Sequence, residues 1–357
     1  MANNKIDTSV YTDEYSQTLI KGVREICRNN TVDPIQLNEN YELLLPAMLC
    51  GNNTNILIVG PPQTGKSTAI CKAAEALGDP EPIPVCIFSC DEGIQYSNVF
   101  GGMVPNPNRG VDGDEREYVW KDGPLTTALK YGGIFDAEEF LQLPPEKTSM
   151  FMKVLDEGYV QLKNGEIIFK HPNFRFIATG NPTCRGNKAQ NEALLRRFQV
   201  VIGIPGLDKS SFLISGKSKN PNLADSFFNA SFDLAEAVMS EGKRLGKPNV
   251  SCGITQLNTL VSLVINDPKK NTLDRFKRKV RNTFINVLEG SQIPPNVVDA
   301  FANDLITLGI IKTMHDSFEN SFKTAVAGAQ PQQTPPPAQN AEESGKSLLD
   351  QLRRIRI

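Results

Sequence analysis

Histidine is nearly missing from this sequence: His171 and His315 are the only two in 357 residues. That excludes a His-rich metal centre and leaves little room for a Ser-His-Asp triad. Tryptophan is rarer still, with Trp120 alone. No apolar run reaches the ~18 residues that a membrane span needs, so no membrane role is expected. The opening stretch, MANNKIDTSVYTDEYSQ, is polar and lacks the apolar centre of a secretory signal. An excess of either charge is also lacking. There are 38 Lys and Arg against 40 Asp and Glu, a net charge of −2 that does not indicate a generally basic nucleic-acid binder. The seven cysteines form no C-x-x-C pair and are odd in number. They read as buried free thiols of a reducing, cytoplasmic setting.

Hydrophobic residues make up 39% of the chain, enough for a real core. The length suits two packed domains plus a tail. Five short apolar runs read as buried strands: NILIVG (55–60), PVCIFSC (84–90), YGGIFDAEEF (131–140), FRFIATGN (174–181) and VVIGIPG (200–206). The Ala-rich stretch TAICKAAEALG after the first run reads as a helix. Strands alternating with helices predict an α/β fold with a parallel sheet flanked by helices. EGYVQLKNGEII (157–168) predicts a hairpin turning at Asn164-Gly165. Beyond residue 206 the strand signals stop and amphipathic helices follow. In one of them Leu273, Phe276, Val280, Phe284 and Val287 fall on a single face. The expected organisation is an α/β core over 1–206, an all-helical domain over 207–325, a Pro/Gln/Ala-rich disordered linker over 326–346 and a short amphipathic tail over 347–357.

GPPQTGKS, Gly60 to Ser67, fits G-x-x-x-x-G-K-[ST] between a predicted strand and a predicted helix. Gly60 and Gly65 let backbone N–H groups curl around a phosphate. Pro61, Pro62, Gln63 and Thr64 fill the loop, and Thr68 follows it into the helix. Lys66 supplies a point charge for the β- and γ-phosphates, and Ser67 offers a hydroxyl to Mg²⁺. ATP and Mg²⁺ are the ligands expected. Nucleotide hydrolysis then needs a carboxylate for the metal and a group that orients water. YGGIFDAEEF supplies three acids, Asp136, Glu138 and Glu139. Asn181 ends a neighbouring strand, and Arg196 and Arg197 follow in LLRRF.

The order of these parts resembles an AAA+ ATPase, and more narrowly the MoxR-like group with its CbbQ and NorQ relatives. The likeness runs from about residue 32 to 206. It includes SCDEGIQYSNVFGG, EYVWKDGPL, the acidic strand, PPEKTSMFMKVLDEGYVQLKNGE, FIATGNP and ALLRRF. The resemblance implies an AAA+ core with a helical lid. Counting back from Pro144-Pro145, it implies Glu138 at the metal position, Glu139 as the water-polarising acid and Asn181 as sensor. It implies Arg196 and Arg197 as arginine-finger candidates reaching a neighbouring subunit. Glu138 departs from the family's Asp, and alternation places Asp136 on the same face, so Asp136 stays a second metal candidate beside Ser67. A further departure is Gly253, where the family carries a lid arginine.

The resemblance also implies a homo-oligomeric ring, usually of six. Its work would be chaperone-like remodelling of a client protein complex, with an adaptor that carries a von Willebrand A domain in relatives. The alternative is a nucleic-acid motor, drawn from the basic stretch PKKNTLDRFKRKVR with Lys269, Lys270, Arg275, Lys277, Arg278, Lys279 and Arg281. Trp120, in the insert 100–123, contacts substrate or packs the insert on its own domain. The tail SLLDQLRRIRI gathers Leu348, Leu349, Leu352 and Ile355 on one helical face, the form of a docking peptide.

Overall fold

A computed structural model of the chain describes residues 5–30, 32–110, 114–181, 192–206, 208–247, 250–267 and 271–328. The strands are β1 (Ile56–Val59), β2 (Val85–Ser89), β3 (Gly101–Pro105), β4 (Tyr118–Asp122), β5 (Gly133–Glu138), β6 (Tyr159–Gln161), β7 (Ile167–Phe169), β8 (Phe174–Gly180) and β9 (Val200–Gly203). Five of them form one parallel sheet in the order β9-β1-β8-β5-β2. The strand that carries the acids and the strand that leads into the phosphate loop are therefore separated by β8. In register, β8 pairs Ile177 with Ile56 on one side and with Asp136 on the other.

Each sheet face has its own core because strand residues alternate. Ile56, Ile58, Ile134, Ile177 and Ile202 pack with Ala69, Ile70 and Ala73 of helix α2 (Lys66–Leu77) and with Val23 of α1 (Glu14–Asn29). On the opposite face Leu57, Phe135, Phe176 and Ala178 pack with Leu125 and Leu129 of α3 (Pro124–Tyr131). Phe140 holds that side together, with ring centroids 5.4 Å from Phe151, 6.1 Å from Phe176 and 5.8 Å from Phe198. One such fully buried ring stabilises by ~1.5–3 kcal/mol.

Two hairpins project from the sheet, β3–β4 and β6–β7. Lys130 joins them, with its ammonium 2.8 Å from both Asp122 and Glu166. Trp120 is half-buried against the core and donates to Asp122 Oδ1 at 2.9 Å, so it anchors the insert to its own domain.

The helical part comprises α4 (Lys209–Lys219), α5 (Asp225–Arg244), α6 (Ile254–Ile265), α7 (Leu273–Val280), α8 (Asn286–Gly290), α9 (Pro295–Ala302) and α10 (Leu305–Gly328). It has a separate core of Phe227, Phe228, Leu234, Leu257, Phe276, Phe284 and Met314. The single face expected from Leu273 to Val287 is corrected here. A π-helical turn at Arg281–Ile285 joins α7 to α8 and inserts one residue. Burial passes from Phe276, Val280 and Phe284 to Ile285 and Leu288, leaving Val287 only partly buried. Helix α10 runs to Gly328, past the expected domain end at 325 and into the expected linker. The remaining linker and the tail, with Leu348, Leu349, Leu352 and Ile355, lie outside the described residues. So do Lys269, Lys270 and Cys184.

Cys27, Cys71, Cys86, Cys90 and Cys252 are buried free thiols, and Cys50 is exposed. Among the described residues no helix is long and apolar enough to cross a membrane.

Candidate active site

The nucleotide-handling candidates other than Asp136 and the Arg pair gather at the carboxyl ends of the sheet strands, where open α/β sheets bind ligands. Residues 60–65 turn directly out of β1, and Lys66 opens α2. Two glycines are required here. A Cβ at Gly60 would stand 2.7 Å from the Ile204 carbonyl oxygen, because β9 ends against the loop. Gly65 has φ +82° and lies where a Cβ would meet Pro34 Cγ at 2.8 Å. Inside the loop, the Thr64 hydroxyl donates to the Pro61 carbonyl at 2.9 Å, and buried Tyr41 donates to the Thr64 carbonyl at 3.4 Å.

The Lys66 ammonium donates to the Gly60 and Pro61 carbonyls at 3.0 and 2.8 Å. Burial lowers its pKa, and the nearby charges of Glu139, Glu138 and Asp136 oppose that fall. Ser67 follows, and its hydroxyl donates to Glu138 Oε1. A hydroxyl and a carboxylate brought together at the end of a phosphate loop are a hard-oxygen donor set, which fits Mg²⁺.

The three acids take different positions. Glu138 ends β5 half-exposed and touches Ser67. Glu139 leaves the strand in a left-handed conformation, φ 56° and ψ 28°, uncommon for a residue with a side chain. Its carboxylate accepts from Gln142 Nε2 at 2.6 Å. Asp136 is 0% exposed, and neither carboxylate oxygen has a hydrogen-bond partner among the described residues. Burial raises its pKa well above the usual carboxylate range, the Glu138 charge adds to the rise, and Lys66 opposes it. Asp136 therefore does not join Ser67 and Glu138. It sits two residues back, inside the sheet, where burial disfavours its charged form.

Asn181 follows the end of β8, between the phosphate loop and the acid strand. The Arg pair is elsewhere. Buried Asn55 precedes β1, and its Nδ2 donates to the Arg197 carbonyl at 2.8 Å and the Leu155 carbonyl at 2.9 Å. Arg197 thus lies at the amino end of the sheet, with its Nε 2.6 Å from Asp156 Oδ2. At ~3.3 Å per residue the strand between Asn55 and Gly60 spans roughly 16 Å, beyond the reach of an arginine side chain. Arg196 is exposed at the same end.

A cleft beside the loop escaped sequence reasoning. It is lined by Pro34, Leu37 and Asn38 on the core side, by Gln63, Thr64 and Gly65, and by Ser211, Ser215, Ser218 and Lys219 of α4 with Ile254 of α6. The lid supplies five of its fourteen lining residues, and nothing in the local pattern of α4 pairs those serines with residues far upstream.

Residues 55–198 match the family described as AAA domain, dynein-related subfamily. An uncharacterized protein of Staphylococcus epidermidis is 33% identical over 152 residues, covering 42% of this chain and 55% of that protein. An uncharacterized protein of Staphylococcus aureus has the same identity and coverage. The chain thus spans about half the length of the curated relatives it matches. A crystal structure from Cytophaga hutchinsonii, described as a candidate ATPase, aligns at 16% identity and a TM-score of 0.42, covering 85% of this chain and 96% of that one. Residues 55–198 are thus similar to an AAA domain, and the parallel sheet flanked by helices has the α/β architecture expected of one.

Proposed function

We propose that the chain is a Mg²⁺-dependent ATPase of the MoxR-like kind that assembles into a ring and remodels a client protein complex. The contact of Ser67 with Glu138, beside Lys66 and Glu139, carries the reading. Lys66 exchanges its loop carbonyls for phosphate oxygens. Glu139 holds the attacking water and draws its proton, and Asn181 orients that water or the γ-phosphate. Mg²⁺, when bound, neutralises charge on the β- and γ-phosphates. Ser67 and Glu138 are the residues that would hold it. Arg197, and Arg196 beside it, serve the γ-phosphate of another copy, a role supported by their distance from their own phosphate loop.

A protein client is favoured over nucleic acid by the pairing of three of the five described cations of the basic lid stretch. Arg275 and Lys279 pair with Asp267 at 2.6 and 2.8 Å, and Arg281 pairs with Asp299 at 2.6 Å. Cations committed to carboxylates contribute little to phosphate binding. The adaptor, with or without a von Willebrand A domain, is reached through the tail 347–357.

Turnover of ATP by the purified chain, with and without Mg²⁺ and with and without DNA, tests the reading. Mg²⁺-dependent hydrolysis that DNA leaves unchanged is expected. Absence of hydrolysis, or strong stimulation by DNA at physiological salt, overturns it.

A further inference from the structure

Gly253 stands at the start of α6. Its φ of −173° is extended backbone that any residue adopts, so conformation does not require glycine. Space favours it: a Cβ at 253 would stand 3.0 Å from Gln63 Oε1 and would push that amide a few tenths of an ångström off its lid partners. Gln63 belongs to the phosphate loop and has a left-handed φ of 65°, a strain that neighbouring contacts must offset.

Those contacts are with the lid. Gln63 Oε1 accepts from the Thr255 N–H at 3.3 Å, and Gln63 Nε2 donates to Gln256 Oε1 at 3.4 Å. Gln256 Oε1 also accepts from the Gly253 N–H at 2.9 Å. Two first-turn donors of α6, which have no partner within the helix, are thereby satisfied by two glutamines. Gln63 and Ile254 also line one cleft.

We propose that Gln63 is a positioning residue that ties the phosphate loop to the lid through Gln256 and Thr255, and that residue 253 is glycine to leave it room. The bridge fixes the width of the cleft between Pro34 and Ser215, and so the grip on the nucleotide. The proposal rests on the nucleotide-binding reading above.

The test is a set of paired substitutions in the full chain, read by titration with a fluorescent ADP analogue. Gln63→Ala, Gln256→Ala and Gly253→Ala should each weaken binding by about 2- to 10-fold, the worth of a net hydrogen bond. Gln63→Ala with Gln256→Ala should bind no worse than the weaker single variant. Gly253→Ala should cost nothing further in the Gln63→Ala background, because the obstruction has gone. A merely structural role for Gly253 would give the same loss in both backgrounds. Additive losses, or unchanged binding in all three single variants, overturn the bridge. A wild-type chain that does not bind the analogue overturns the nucleotide reading instead. The bridge is then read from unfolding midpoints of the same nucleotide-free variants, where additivity overturns it.

Discussion

The Ser67 hydroxyl donates to the Glu138 carboxylate, joining the first turn of α2 to the end of β5. Seventy-one residues separate the two in sequence, and only the interposed strand β8 brings their elements to this distance. Glu138→Ala should therefore weaken Mg²⁺-dependent ATP retention by at least ~10-fold while leaving Mg²⁺-free binding nearly as it was. Equilibrium binding with and without the metal checks this. Equal losses in both conditions would remove Glu138 from the metal site.

Glu139 and Lys66 separate binding from turnover. Lys66→Ala should abolish ATP binding by removing the phosphate counter-charge. Glu139→Gln should bind ATP and hydrolyse it at least ~100-fold more slowly. Normal turnover in Glu139→Gln, with turnover lost in Asp136→Asn, would transfer the role to the buried acid.

Asp136 makes a prediction of its own about pH. Burial raises its folded pKa well above the ordinary carboxylate value, and the Glu138 charge adds to the rise. The folded state therefore keeps a proton that the unfolded chain releases, and stability falls by about 1.4 kcal/mol per pH unit from about pH 4 up to the folded pKa. Asp136→Asn removes that slope. Thermal unfolding of the nucleotide-free variant should show a higher midpoint than wild type at pH 7, with the gain shrinking toward pH 4. A constant gain or a loss across that range would mean that Asp136 is ionised in the fold.

How much of this was legible in the sequence depended on the range of the signal. The five sheet strands appeared where apolar runs announced them, because a doubly covered strand is apolar on both faces. The hairpin at Asn164-Gly165 followed from turn chemistry that needs no distant partner. The choice between Asp136 and Glu138 was open from spacing alone, since alternation gives them one face. Depth along the strand separates them, and depth is set by α2 and β8. The Gln63–Gln256 bridge had no sequence signal: both are ordinary polar residues, 193 positions apart.

Arg197 should act on another copy. Arg197→Ala is expected to leave nucleotide affinity within about 3-fold and to lower turnover by ~10²-fold or more. Mixing it with Lys66→Ala protein should restore part of the activity where subunits exchange. Exchange without recovery would contradict action in trans.

The π turn at Arg281–Ile285 also sets a frame. Segments on either side of it keep regular helical periods, but the second period starts one residue late. Removing a single residue from the turn would restore an uninterrupted α-helix and rotate everything after it by about 100° about the helix axis. Leu288 would then leave the lid interior, and Arg281 would lose its alignment with Asp299. In this helix a one-residue deletion is thus a graver change than most substitutions, and the surplus residue works as a phase adjuster between two packing surfaces.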